Sequence, residues 1–209
     1  MRIIIACEES QEVCKAFRNK GHESYSCDLQ SCSGNHSEWH IKGDAREICM
    51  DNWNIAICFP PCTHLAVSGA KHFEQKRFDG RQQLGIDFFM FFTRLDHIQK
   101  VAIENPIGIM SRLYRKPDQI IHPWHFGDTY QKSTCLWLKK LPKLYHSDHI
   151  DLFNDKITHV DKGDFKITEG GNKMASWYYD SKTSDKNNTS KSRSKTFPGI
   201  AHAMAEQWG

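Results

Sequence analysis

No apolar run in this 209-residue sequence approaches the roughly 20 residues that a bilayer-spanning helix requires, so a soluble protein is expected. The amino terminus carries no cleavage-site pattern either. "MRIIIACEES" enters an apolar stretch at once, which argues against a secretory signal and for the cytoplasm. Without a secretory route, the eight cysteines are expected as reduced thiols serving as core residues, metal ligands or a nucleophile. Charge of one sign is scarce too: a net +3 and a pI near 8.4 only weakly favour an anionic partner. There is no internal repeat. One further absence is local. The stretch "ACEESQEVC" holds no glycine, the residue that most readily lets backbone approach a ligand.

What is present has the content of an ordinary globular chain, 39% hydrophobic and 25% charged, long enough for one domain with a real core. "RIIIAC" reads as a strand and "EESQEVCKAFRNKGH" as an amphipathic helix that Gly21 stops. "ESYSCDL" and "WNIAICF" read as strands, and "RQQLGIDFFMFFTRLDH" as a helix feeding the strand "KVAIENP". Strands alternating with helices predict a mostly parallel α/β sheet covered on both faces. In such sheets the ligand sits beyond the carboxyl ends of the strands, and Glu8, Asp28, Asp44, Cys62 and Glu104 all fall at such ends.

After Pro117 the regularity fails, apart from a strand-like "STCLWL" and a closing turn and helix in "TFPGIAHAMAEQWG". The expected organisation is a cofactor-binding and catalytic core at 1–116, a small irregular region facing nucleic acid at 117–195, and a terminal helix at 196–209 that packs back on the core. Within the irregular region, Lys182 to Lys195 carries four Lys and one Arg against one Asp and no apolar residue. Such a run reads as a mobile loop or a solvated linker.

The chemistry begins at "CFPPCTH". Two prolines end the strand stiffly and hold Cys62 at the sheet edge, where an exposed thiolate is a good nucleophile. Glu104 closes a very apolar strand, where desolvation raises a carboxyl pKa and suits it to act as an acid. A thiolate and a neutral carboxylic acid together suit conjugate addition to a pyrimidine, with sulfur attacking carbon 6 and the acid engaging nitrogen 3. Asp28 ends the second strand about 20 residues after the first, where a ribose diol is often held. Asp44 is placed to meet an adenine edge, though a helix cap is the simpler role for either acid. The combination describes an adenosyl-cofactor site beside a pyrimidine site.

In the order "RIIIACEESQ", "CDL", "KGDA", "FPPCTHLAVSGA", "IENP" and "FPGIAHAMA", the sequence resembles the cytosine-5 DNA methyltransferases in a short, phage-type form. The resemblance covers residues 1–110 and the last 13. It implies a Rossmann-like methyltransferase fold, a twisted and mostly parallel sheet with helices on both faces, and methyl transfer from S-adenosylmethionine to carbon 5 of cytosine in DNA. By position it makes Cys62 the nucleophile and Glu104 the acid, with Pro61 and Asn105 placing them. Cys7, Glu8, Asp28, Leu29, Asp44, Ala45 and Pro60 would line the cofactor. Ser68, Lys71, Lys76 and Arg77, with Lys191 and Arg193 in the basic run, would meet phosphates. Arg112 and Arg115 are the nearest candidates for the arginines that the family uses at the target base. A phage origin would place the protein in the host cytoplasm.

Three other readings remain. Cys27, Cys32, His36 and His40 are ligand types that zinc accepts, but their spacing matches no zinc module and a surface loop is simpler, so no metal is expected. His122 with His125, and His146 with His149, read as hydrogen-bonding histidines, while His64 stands close enough to Cys62 to assist it if folded back. A pyrimidine-nucleotide enzyme of the thymidylate-synthase kind would share the Pro-Cys chemistry. A catalytically degenerate fold that binds DNA or a host protein is the rival from another class.

Overall fold

The computed structural model describes residues 1–146, 162–168, 170–171, 173–176, 179 and 195–209. The chain opens with β1 (Arg2–Ala6), α1 (Glu12–Asn19), β2 (Glu23–Asp28), β3 (His40–Lys42), α2 (Ala45–Ile48) and β4 (Ile55–Cys58). Next come α3 (Phe73–Phe78), α4 (Arg81–Phe92), β5 (Lys100–Pro106), α5 (Met110–Leu113), β6 (Gln119–Ile121) and β7 (Thr134–Lys139). The described elements end with a hairpin of β8 (Phe165–Ile167) and β9 (Lys173–Ala175) and with α6 (Pro198–Trp208).

Seven strands form one sheet in the order β3-β2-β1-β4-β5-β7-β6. β1 to β5 run parallel, and β7 runs antiparallel between β5 and β6. Because successive side chains of a strand point to opposite faces, an unbroken apolar strand buries both. Ile3 and Ile5 join α1 and α6 on one face, where Phe17, Met204 and Trp208 fill the core. Ile4 and Ala6 join α2, α4 and α5 on the other, with Phe89, Phe92 and Trp137. The architecture is the expected α/β one, a mostly parallel Rossmann-like sheet with helices on both faces.

The sheet does not stop at residue 116. β6 and β7 complete it from within the stretch expected to be irregular, and β6 and β3 are three-residue strands with too little pattern to read from sequence. α6 packs against α1. Its start is tied down by Gly199, whose N–H donates to Asp128 Oδ2 at 2.8 Å. A Cβ at Gly199 would collide with the Phe126 carbonyl oxygen, so only glycine permits this approach. Among the described residues no helix is long and apolar enough to cross a membrane.

Candidate active site

β4 and β5 are neighbours in parallel register, with Cys58 opposite Ile103. Chain leaving β4 therefore emerges at the same sheet edge as Glu104. Three contacts fix the two strand ends against each other. Asn105, fully buried, donates its side-chain amide to the Pro60 carbonyl at 2.7 Å. Val67 N–H donates to Ile107 and Ile109 N–H to Leu65, closing a short antiparallel bridge of Ala66 with Gly108. A Cβ at Gly108 would collide with the Leu65 carbonyl oxygen, so the close approach depends on glycine there.

Between these ties the Cys62 carbonyl accepts from the Leu65 and Ala66 N–H groups, which turns the chain back and leaves the thiol half-buried. Burial pushes the Cys62 thiol up, and the Glu104 carboxylate adds to that push. Lys132 and Lys76 act in the opposite direction. Glu104 is itself raised by burial and drawn down by Lys132. Sulfur, carboxyl and ammonium thus share one electrostatic neighbourhood.

Lys132 has no counterpart among the residues expected from sequence. Parallel strands draw attention to the residues just after them, but β7 is antiparallel, with Thr134 opposite Pro106. Residues preceding β7 therefore reach the edge that residues following β5 reach. An antiparallel last strand would have pointed to "QKS", the three residues before Thr134.

At the neighbouring strand ends, Cys7 adopts a left-handed φ of 61° and Gln11 the same, although neither is glycine. The loop compensates with buried polar side chains. The Glu8 carboxylate accepts from the Val13 and Cys14 N–H groups at 2.6 and 3.2 Å, capping α1 from inside, and burial holds its pKa at about 7. Gln11 donates to the His36 carbonyl and accepts from the His36 N–H, which pins the loop after β2 over this turn. Asp28 closes β2, half-buried, and accepts from the Gln30 N–H. Leu29 is 72% exposed beside it. Asp44 caps α2 through the Arg46 N–H and pairs with the Arg46 guanidinium, which lowers its pKa. Its carboxylate is thus engaged within the chain, and Ala45 behind it is buried. Pro60 is buried and Pro61 exposed.

The expected phosphate contacts divide. Ser68, Lys71 and Arg77 are exposed around the nucleophile loop. Lys76 is not: it is 7% exposed, and its ammonium donates to the Thr63 carbonyl at 2.5 Å. This corrects its assignment as an open phosphate contact, because a side chain turned into the protein cannot reach a solvated backbone. Arg115 also departs from its expected place. It pairs with Asp118 at 2.7 Å and donates to the Leu138 carbonyl, opposite Ala102 near the start of β5 and away from Cys62. Arg112 is exposed on α5. Lys191, Arg193 and His149 lie outside the described residues.

His64 keeps a lowered pKa through burial and the adjacent Lys76 charge. His125 stacks on His146 with ring centroids 4.2 Å apart, beside His122. Cys27 donates to the Gly43 carbonyl, His36 stacks on Trp39, and His40 bonds Ser26. Among the described residues no group of three or more His, Cys, Asp or Glu side chains is placed to hold a metal ion. All eight cysteines are free thiols.

No family model and no curated protein matches the sequence. Similar solved structures include an E. coli protein described as a DNA modification methyltransferase encoded within a prophage, at 15% identity and a TM-score of 0.46, over 66% of this chain and 46% of that one. Another is a triple mutant of Spodoptera frugiperda DNMT2, at 14% identity and a TM-score of 0.41, over 69% of this chain and 53% of that one. The chain spans about half the length of these two proteins.

Proposed function

We propose that the protein is a DNA methyltransferase that uses S-adenosylmethionine to methylate carbon 5 of cytosine through a covalent Cys62 adduct. The observation that carries this reading is the Asn105 to Pro60 hydrogen bond, which locks the strand end bearing Cys62 to the strand end bearing Glu104.

The residues at the first strand ends suit a cationic adenosyl cofactor. Asp28, half-buried at the end of β2, offers a carboxylate at that edge, which favours a sulfonium and an ammonium. A dinucleotide pyrophosphate would need the free N–H groups of a helix start, and Glu8 already takes two of those of α1. Asp28 would hold the ribose hydroxyls and Leu29 would cover the adenine. When bound, S-adenosylmethionine supplies an electrophilic methyl group on sulfonium sulfur.

The chain's own residues prepare the base. Extruded from the stack, the cytosine meets Cys62, whose thiolate adds to carbon 6. Glu104, whose carboxyl burial pushes up against the pull of Lys132, donates its proton to nitrogen 3, which stabilises the negative charge that the addition pushes into the ring. Carbon 5 then carries nucleophilic character. Once carbon 5 has taken the methyl group, the bond from that methyl to the sulfonium sulfur having broken to leave a neutral thioether, its proton passes to water. The nitrogen 3 proton returns to Glu104, and the Cys62 sulfur leaves carbon 6 with the electron pair, which restores the aromatic ring and the thiolate. Lys132 keeps the thiolate accessible against burial.

The closed, glycine-free turn at Cys7 to Gln11 favours a second reading, a binder that transfers nothing. Mass analysis of nucleosides from DNA incubated with the protein and labelled S-adenosylmethionine separates the two. Labelled 5-methylcytosine is the expected product. A different methylated base, or none with the cofactor bound, overturns the proposal.

A further inference from the structure

Lys76 is a long cationic side chain on α3, yet it is 7% exposed. Burying an ammonium is costly unless partners satisfy it, and a role usually explains such a group. Its ammonium donates to the Thr63 carbonyl at 2.5 Å and lies 5.9 Å from the Phe73 ring centroid. No carboxylate pairs with it among the described salt bridges. Room for it comes from Gly69, where a Cβ would stand 3.3 Å from Nζ and 3.6 Å from the Thr63 oxygen. Thr63 directly follows Cys62, and the Cys62 carbonyl is the acceptor that closes the same turn.

We propose that Lys76 is a positioning residue for Cys62: its buried ammonium, bonded to the Thr63 carbonyl beneath Gly69, braces the nucleophile's turn and sets a fixed positive charge behind the thiol. The proposal rests on the reading of Cys62 as the nucleophile. It also accounts for the spacing of Gly69 and Lys76, which a phosphate contact leaves unexplained.

The charged and titratable groups around the turn bear on the test. Glu104 faces Cys62 from β5, Lys132 from the segment before β7, and Lys76 from α3. His64 within the turn faces Lys76, with Asp79 and Arg81 beyond it. Lys76 contacts the turn's backbone through its ammonium and also carries charge towards the thiol.

Full-length protein carrying Lys76→Met, Lys76→Arg or Gly69→Ala is alkylated with iodoacetamide from about pH 6 to about pH 10, and Cys62 modification is read by peptide mass spectrometry. Lys76→Met is expected to move the Cys62 profile to higher pH, with alkylation near neutrality slower by about threefold or more, and Lys76→Arg to recover most of it. Gly69→Ala, which keeps the charge but crowds the ammonium, shifts the profile in the same direction by less and remains informative if Lys76→Met does not fold. Profiles in Lys76→Met and Gly69→Ala that coincide with the parent would overturn the brace, as would equal shifts in Lys76→Met and Lys76→Arg. Alkylation needs neither DNA nor cofactor. A shifted profile in a protein that forms no 5-methylcytosine therefore leaves the brace standing and removes the methyltransferase reading, whereas methylation with unmoved profiles does the reverse.

Discussion

Asn105 on β5 donates its amide to the carbonyl of Pro60 after β4 at 2.7 Å, with the asparagine side chain out of contact with solvent. One bond thereby couples the two stretches that carry the proposed chemistry, "PPC" and "EN". Asn105→Ala leaves the buried Pro60 oxygen without its donor, at a cost of about 1–3 kcal/mol. The loss is read as a lower urea midpoint, accompanied by a fall in methylation rate larger than the fall in cofactor affinity. An unchanged midpoint with unchanged rate would mean that the bond is incidental.

Gly108 tests the second tie. Adding one methyl group against the Leu65 carbonyl oxygen forces the bridge between the strand-end loops apart. Gly108→Ala is expected to cost about 1–3 kcal/mol by overpacking and to weaken activity more than the same change at Gly21. A methyl group added at Gly21 would meet no atom within 4 Å, so the penalty there comes only from its positive φ.

Where the candidate residues lie in the sheet was legible in the sequence because residue type and strand position agreed. Cys62 follows the apolar strand β4, and Glu104 and Asn105 lie near the end of the apolar strand β5, and apolar strands are easy to see. Lys132 escaped because β7 runs backwards, so the informative residues precede the strand. Lys76 stands out in the sequence as a cation, but its burial depends on Gly69 making room, a tertiary fact that no local pattern carries. Asp44 illustrates the opposite case, a helix cap whose sequence signature looks the same as a ligand's. The missing glycines of the first turn were visible. The solution was not, since it combines left-handed Cys7 and Gln11 with internal capping by Glu8.

Glu8 gives stability a pH dependence with a definite sign. Its folded pKa is raised from 4.5 to about 7, chiefly by burial. Between those values the folded chain holds a proton that the unfolded chain has released, so stability is full at lower pH and is lost as pH rises through about 7. The contribution is on the order of 3 kcal/mol. Urea midpoints of the parent should fall from pH 5 to pH 8 more steeply than those of Glu8→Gln, and parallel curves would contradict this.

Lys132 draws down both Cys62 and Glu104. Lys132→Met is expected to raise both groups, moving the rising limb of the activity profile to higher pH and cutting the rate near neutrality about tenfold. Lys132→Arg should retain most of the rate. Loss of rate at every pH alike would instead assign Lys132 to binding.

The covalent step can be caught directly. With 5-fluorocytosine in the target DNA, no proton can leave carbon 5, so the adduct cannot resolve. Mass spectrometry of the denatured complex, formed with S-adenosylmethionine present, should show protein plus DNA plus one methyl group, mapped to Cys62 and missing from Cys62→Ser. Full 5-methylcytosine formation by Cys62→Ser, or an adduct mapped to another cysteine, would contradict the account.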